Sequence, residues 1–176
     1  MALGDIILHK EGAFGSIGSR KHAVAAGAAS SIKAGELVLK IPGDPSVLVW
    51  TASNSAKPVV GTDWIAGMSA STSTDTASAA GSVEIIPLVL GQVFLGNPDV
   101  PATFGTATNG VLTQATYDAL VGDRVLLKTS VAGVQTILAV DGATSGLVIQ
   151  PLDITRYPGK VAFSIKPGCD YMAQNS

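Results

Sequence analysis

The stretch from Thr62 to Asn97 constrains the fold of this chain most strongly. It places one apolar segment, Trp64 to Met68, and a second apolar run, Val83 to Leu90, on either side of a loop of Ser, Thr, Ala and Asp residues. Aromatic and β-branched residues fit a pleated, half-buried surface, whereas Ser, Thr, Gly and Asp favour loops. The stretch therefore predicts a core β-hairpin around a polar loop, Ser69 to Ala80, which faces solvent or a neighbouring molecule.

Turn signals recur before this stretch at the spacing of a small all-β domain. A Lys-Ala-Gly-Glu turn at 33–36 precedes an apolar strand from Leu37, and a Pro-Gly-Asp-Pro turn at 42–45 precedes a second strand from Val47. Strands that follow one another at intervals of about ten residues are typical of sandwiches and barrels. We predict a mainly β fold in which residues 22–97 form a small β-sandwich or β-barrel of tulip-like shape.

The second half of the chain predicts a separate antiparallel β unit with one short helix, over residues 110–176. The helix is expected from Thr113, as its N-cap, to Val121, because apolar residues recur there at helical spacing and Gly122 follows. Four apolar or alternating segments near 124–129, 133–140, 146–152 and 159–167 predict strands. Turn residues dominate 98–109, which we interpret as a linker between two domains.

Residues 1–21 predict an extended N-terminal arm, because their glycines disfavour a helix and weaken a strand. Five large apolar side chains of this segment are candidates for contact with a partner, and they are Ile6, Ile7, Leu8, Phe14 and Ile17. An arm of this kind docks on a neighbour or forms a frayed terminus, and the sequence leaves both alternatives open.

The two halves share a short similarity, Ala-Gly-Glu-Leu-Val-Leu-Lys at 34–40 and Val-Gly-Asp-Arg-Val-Leu-Leu-Lys at 121–128. Turns that contain Gly followed by an acidic residue are common before apolar strands. We interpret the similarity as recurring turn chemistry rather than as a duplication.

The composition indicates a subunit of an assembly. Charged residues make up 14% of the chain and hydrophobic residues 47%, with a mean hydropathy of +0.40. A chain with so few charges covers its surface with small polar residues or buries it against other chains. The net charge of −2 disfavours nucleic acid as a partner, since phosphate binding needs a basic surface, and Arg20, Lys21 and His22 form the only compact basic cluster in the sequence.

The sequence predicts no catalytic residue, no cofactor and no metal site. His9 and His22 lack acidic partners at the spacing of a triad or a metal site, and the single cysteine, Cys169, excludes an intrachain disulfide. No carboxylate pair points to glycoside hydrolysis. We also expect no membrane span, because Glu84 and Pro87 interrupt the most apolar run, and no secretory signal, because the chain begins with Met-Ala-Leu-Gly-Asp.

Residues 34–97 resemble the head decoration, or cement, proteins of tailed bacteriophages. The similarity lies in the Ala-Gly-Glu-Leu-Val turn and strand from Ala34, in Trp64-Ile65-Ala66-Gly67-Met68 before a Ser/Thr/Ala/Asp loop, and in the segment from Ala80 to Ile85 before a Gly-Gln-Val-Phe strand. It covers roughly a third of the chain. The block after Asn97 departs from the shorter members of that family.

The resemblance implies a structural protein of the virion, made in the host cytoplasm and bound to the outside of the capsid. Members of the family form homotrimers that staple neighbouring major capsid proteins together. On this hypothesis Ile6 to Ile17 would supply a strand to the capsid protein. The alternative is a tail or head-fibre subunit whose second block binds a host surface or a glycan.

Overall fold

A computed structural model describes residues 6–10, 18–26, 32–40, 43, 45–49, 64–88, 91–99, 104, 112–129, 135–138 and 146–166 of the 176-residue chain. The strands in these ranges are β1 (Ile7–Lys10), β2 (Arg20–Val24), β3 (Leu37–Lys40), β4 (Val47–Val49), β5 (Trp64–Ser69), β6 (Gly81–Pro87), β7 (Val93–Gly96), β8 (Arg124–Thr129), β9 (Gln135–Leu138), β10 (Leu147–Ile149) and β11 (Val161–Ile165), and the helix is α1 (Gln114–Leu120).

The prediction of a mainly β fold with one short helix is confirmed. The helix begins after Thr113, whose Oγ1 accepts a hydrogen bond from the Thr116 N–H at 3.2 Å. This bond satisfies one of the backbone donors that the first helical turn leaves unpaired. The predicted end at Gly122 is also observed, since Gly122 has a φ of +94° that favours glycine.

Strands β2 to β6 form an antiparallel sheet in the order β2-β6-β5-β3-β4. The sheet curves until its two edge strands meet, where Ala23 and Ser46 form a short parallel bridge. We call this unit the first barrel. Its curvature is supported at a β-bulge between β3 and β5, where the register shifts after the pair Val38 and Gly67.

The other sheet has the order β1-β7-β11-β10-β8-β9 and also closes on itself. Its edge strand β9 meets the residues that directly follow β7. The Ile137 N–H donates to the Asn97 carbonyl at 2.8 Å, and the Asp99 N–H donates to the Ile137 carbonyl at 2.7 Å. Strands β7 to β11 form the second barrel, and β1 pairs with β7 beside this closure.

The two barrels share one topology. In each, the first strand pairs with the fifth, the fifth with the fourth, the fourth with the second and the second with the third, while a parallel bridge joins the third strand to the first. The similarity between 34–40 and 121–128 lies at the start of the second strand in both barrels. It therefore marks equivalent positions of a repeated unit, and our interpretation as recurring turn chemistry alone was too narrow.

The sheets divide between β6 and β7, ahead of the boundary predicted at 98–109. Strand β7 pairs with β11, so the second barrel draws strands from both sides of that linker. The predicted arm, 1–21, likewise supplies β1 to one sheet and the beginning of β2 to the other. Turn residues mark where a chain bends, but they do not say which sheet the next strand joins.

Two apolar cores follow from the alternation of side chains along the strands. Val38 and Ala66 point into a small core of buried residues within the first barrel. Their neighbours Leu37, Leu39 and Ile65 lie on the opposite face, in a larger core shared with the second barrel. Because successive side chains of a strand point to opposite faces, β3 is buried on both sides and all four of its residues are buried.

A buried glutamine joins the barrels. Gln135, in β9, is 2% exposed. Its Oε1 accepts from the Leu37 N–H at 2.9 Å, and its Nε2 donates to the Leu37 carbonyl at 2.8 Å. The amide side chain thus pairs with the backbone of β3 as a neighbouring strand would. It does so at Leu37, the residue of β3 directly before those that pair with β4.

Tyr117 anchors α1 on the second barrel. The side chain is fully buried, and its hydroxyl donates to the Gln150 carbonyl and accepts from the Ala162 N–H, both at 2.9 Å. Burial raises the pKa of the Tyr117 phenol to about 12. The hydroxyl occupies the place where the β10–β11 ladder ends, and so it satisfies backbone groups that the ladder leaves unpaired.

Candidate contact surface

The structure separates the five N-terminal residues predicted to contact a partner. Ile6 is 3% exposed and lies in the shared core, so its side chain serves this chain's own packing. Ile7 and Leu8 belong to β1. Phe14 and Ile17 lie outside the described residues. Of the five, the structure thus corrects the role of Ile6, and a contact through the others stays a prediction.

The loop between β5 and β6, residues 70–80, is the most extended exposed segment in the described part of the chain. Hydrogen bonds hold it along the beginning of β6. The Thr74 N–H donates to the Ser82 carbonyl at 2.9 Å, and the Ser82 N–H donates to Thr74 Oγ1 at 3.0 Å. The Glu84 N–H donates to Ser71 Oγ at 3.1 Å. The Ser and Thr side chains therefore order the loop by bonding to backbone groups, as these residues do in turns.

Both the base and the tip of this loop are fixed. At the base, Ser73 exchanges two hydrogen bonds with Ile32, donating its N–H to the Ile32 carbonyl at 2.8 Å and accepting the Ile32 N–H at Oγ at 3.0 Å. At the tip, the Thr76 N–H donates to the Ala79 carbonyl at 2.9 Å, and Thr76 Oγ1 accepts the Ala79 N–H at 3.1 Å. Residues 70–80 form an exposed or half-buried loop with a defined conformation, whereas Ser69, which we predicted to begin the loop, is the buried last residue of β5.

Gly81 permits the loop to lie against the barrel. A Cβ atom at this position would contact the Asp75 backbone, with the Asp75 Cα only 2.5 Å away. The close approach requires glycine because any side chain would push the loop outward. The contact with Asp75 depends on how the loop folds back, so the residues around Gly81 do not reveal it on their own.

The surface of the loop is nearly free of charge. Among residues 70–80, Asp75 is the only charged residue, and it accepts a hydrogen bond from Ser73 Oγ at 2.5 Å. The exposed side chains at and after the tip include Ala77, Ala79 and Ala80. An ordered surface of small, uncharged residues can pack closely against another protein, since the centres of protein interfaces are depleted in charge.

The predicted basic cluster lies on the edge strand β2. Arg20 and Lys21 are exposed and His22 is half-buried. Lys21 lies opposite Glu84 of β6 in the ladder. A further cation, Lys40, is buried nearby and donates through Nζ to the Ser46 carbonyl at 3.1 Å, beside the closure of the first barrel.

His22 gives the first barrel a pH dependence. Burial lowers the pKa of the His22 imidazole, and the positive charges of Lys40 and Arg20 lower it further. The unfolded chain therefore binds the proton more readily than the folded chain, and the free energy of unfolding falls as the pH drops below the unfolded value of about 6.5. We expect the loss of stability between pH 7.5 and 5 to be smaller in His22→Gln than in the unsubstituted chain, as measured by urea denaturation. An equal loss in both proteins would contradict this prediction, because His9 is common to both.

An open cleft of about 480 Å³ separates α1 from the segment after β10. Gln114 is one of the polar residues that line it. The Gln114 Nε2 donates to Asp118 Oδ1 at 2.7 Å and to the Leu152 carbonyl at 2.9 Å, while its Oε1 accepts from the Ile154 N–H at 3.0 Å. The bonds to Leu152 and Ile154 attach the helix to the segment after β10, so Gln114 has a structural role in this cleft.

Within the described ranges, no three His, Cys, Asp or Glu residues lie together as a metal site would require. Cys169 lies outside these ranges. In the same part of the chain, no helix combines the length and the hydrophobicity of a membrane span. Comparisons with protein-family models, with curated proteins and with solved structures found no match.

Proposed function

We propose that this chain is a structural protein of a bacteriophage virion that binds the outside of the capsid and bridges neighbouring major capsid proteins. The observation that supports this best is the loop at 70–80, which is exposed, ordered by its own hydrogen bonds and almost uncharged. The resemblance of residues 34–97 to head decoration proteins includes this same loop and the strands on both sides of it.

An ordered loop is suited to docking for a thermodynamic reason. Association costs free energy for every segment that must be immobilised, and a surface that is already fixed avoids much of this cost. The hydrogen bonds at the base and tip of the loop fix it before any partner binds. Small side chains also allow the two backbones to approach closely, which increases the contact area that the loop can supply.

The proposed action is stabilisation by mass action. A protein that binds the assembled shell but not the separated capsid subunits shifts the equilibrium toward the shell. On this proposal the chain forms a homotrimer, is made in the host cytoplasm and ends on the capsid surface. A trimer would present three copies of the loop, so that one molecule could bridge several capsid proteins and gain from their effective concentration.

Binding to undecorated heads of the encoding phage tests the proposal. Two exposed alanines at the tip of the loop are replaced together, Ala77→Glu and Ala79→Glu. We expect the dissociation constant for the heads to rise about tenfold or more, because desolvating two new charges at an interface costs more than the contacts return. Co-sedimentation with the heads measures the binding, and size-exclusion chromatography measures the oligomeric state.

A matched control keeps the result specific. Ala115 and Ala119 are exposed on α1, and their replacement by Glu adds the same charge far along the chain from the loop. This control should bind the heads as the unsubstituted chain does. Electron microscopy of the particle locates the protein: density on the capsid faces supports the proposal, whereas density on the tail or on a fibre supports the alternative subunit with a host-surface or glycan-binding role.

Deletion of the N-terminal segment is a weaker test than these substitutions. Removal of residues 1–20 takes away β1, which pairs with β7, and Ile6, which lies in the shared core. Loss of head binding after that deletion would follow from unfolding as readily as from loss of a contact. The loop variants change exposed side chains only.

A further inference from the structure

The equivalence of the two barrels extends to the register of individual residues. In the first barrel, the Gly35 N–H donates to the Ser69 carbonyl and the Ser69 N–H donates to the Glu36 carbonyl, both at 2.8 Å. Ser69 lies opposite Ile85 of β6, and Ile85 lies opposite Arg20 of β2. Two strand pairings, Ser69 with Ile85 and Ile85 with Arg20, thus connect the turn at Gly35 with Arg20.

The second barrel repeats this path. The Gly122 N–H donates to the Ile149 carbonyl at 3.0 Å, and the Ile149 N–H donates to the Asp123 carbonyl at 2.9 Å. Ile149 lies opposite Phe163 of β11, and Phe163 lies opposite Phe94 of β7. Phe94 is therefore the counterpart of Arg20, and Leu95 is the counterpart of the next residue of β2.

An added strand covers the outer edge of β7 at these positions. Leu8 of β1 lies opposite Phe94, and Ile7 lies opposite Leu95. This edge is the one that faces away from β11, and the parallel bridge to β9 begins only beyond it, at Pro98. The repeated unit thus has a position for one additional strand beside its first strand, and the second barrel fills it with part of its own chain.

The same position on the first barrel is open in the described part of the chain. Strand β2 pairs with β6 along one edge, and the parallel bridge on its other edge involves Ala23. The residues before that bridge, 18–21, are all exposed. In the second barrel the counterparts Phe94 and Leu95 are buried in the larger core.

The charge at this open edge differs from that of its counterpart. Arg20 and Lys21 are exposed there, His22 is half-buried, and Lys40 is the cation that packs behind them. Glu84 is the acidic group that faces them, from the neighbouring strand β6, where it lies opposite Lys21 and accepts a hydrogen bond from Ser19 Oγ at 3.4 Å. The edge therefore carries a net positive charge, which favours an acidic partner.

We propose that the outer edge of β2, at residues 19–21, binds an extended acidic segment of a partner protein as an additional β-strand. Backbone hydrogen bonds to the edge would supply the pairing, and acidic side chains opposite Arg20 and Lys21 would supply the preference. A second copy of this chain is disfavoured as the occupant, because two β2 edges would bring like charges together. This inference does not depend on the partner being a capsid protein.

Titration of the full chain with a synthetic peptide of glutamate and valine residues tests this inference. The peptide should bind and should slow amide hydrogen exchange at residues 19–21. A peptide of the same sequence that is N-methylated along its whole backbone keeps the charge but cannot pair as a strand, and it should not bind. The double variant Arg20→Glu with Lys21→Glu should bind the unmodified peptide about tenfold more weakly or worse.

A charge-matched variant separates pairing from general attraction. Arg156→Glu with Lys160→Glu makes the same change of charge in the β10–β11 loop and should leave binding unchanged. Equal binding of the N-methylated peptide, an equal loss in the two double variants, or unaltered exchange at residues 19–21 would each overturn the inference. All four side chains are exposed or half-buried, so we expect both double variants to fold. Urea denaturation of each variant checks this expectation.

Discussion

Replacement of Gly67 by alanine is expected to destabilise the protein by about 4 kcal/mol or more, which is among the largest effects of single substitutions. Gly67 has a φ of +153° at the bulge between β3 and β5. A Cβ atom there would overlap the Ile86 carbonyl oxygen and would lie 2.5 Å from Ile85 Cγ2. The Ile86 carbonyl belongs to the backbone of β6 and cannot move without breaking the ladder, so the first barrel must distort. Urea denaturation followed by circular dichroism measures the loss.

Gly159→Ala is the matched control for Gly67→Ala. Gly159 also has a positive φ, +69°, but a Cβ atom there would meet nothing within 4 Å. Only the backbone strain then remains, about 1–2 kcal/mol. The difference between the two variants isolates the effect of the clash. Similar losses in both would show that β5 and β6 can move apart at Gly67, contrary to our expectation.

The strands were largely predictable from the sequence because their apolar runs are bounded by turn residues. The segments from Trp64, from Val83 and from Arg124 are strands as predicted, and α1 begins after its predicted cap at Thr113. These features are local: a turn, a cap or an apolar run is contained within a few neighbouring residues.

Strand β2 was missed because its signal is weak. The sequence Arg-Lys-His-Ala-Val has charged residues at one end and only Val24 as a large apolar side chain, which is 1% exposed inside the first barrel. We predicted an extended arm as far as residue 21 and no strand at its end. A strand at a sheet edge needs few apolar residues, since most of its surface faces solvent.

The closure of both barrels and their common topology could not be predicted from local patterns. The bridge from Ala23 to Ser46 and the bridge from Pro98 to Ile137 join residues that are distant in the sequence. The similarity of 34–40 to 121–128 was visible in the sequence. Only the hydrogen bonds of Ser69 with the turn at 35–36, and of Ile149 with the turn at 122–123, show that it marks equivalent strands. The candidate contact loop was predicted as an excursion, whereas its order depends on contacts with Ile32 and Ser82.

The link between the barrels leads to the second large effect. Gln135→Met keeps the volume of the side chain but removes both hydrogen bonds to Leu37. The Leu37 N–H and carbonyl would then be buried without these partners, at a cost of about 1–3 kcal/mol for each group. We expect a total loss of about 2–6 kcal/mol in the free energy of unfolding. Gln150→Met is the control, because Gln150 is half-buried and its bond to Ser164 Oγ lies within one hairpin, so that its loss should be about 1 kcal/mol.

Gln135→Glu distinguishes the hydrogen bonds from simple packing. An ionised carboxylate accepts from the Leu37 N–H but cannot donate to the Leu37 carbonyl, whereas the protonated acid can do both. Burial raises the pKa of such a carboxyl above about 4.3, so the stability that the protonated form contributes is present at low pH and is lost as the pH rises through the folded pKa. The difference in unfolding free energy between Gln135→Glu and the unsubstituted chain should therefore shrink on acidification, while that of Gln135→Met should not. If the two differences changed in parallel with pH, the paired hydrogen bonds to Leu37 would not be what joins the barrels.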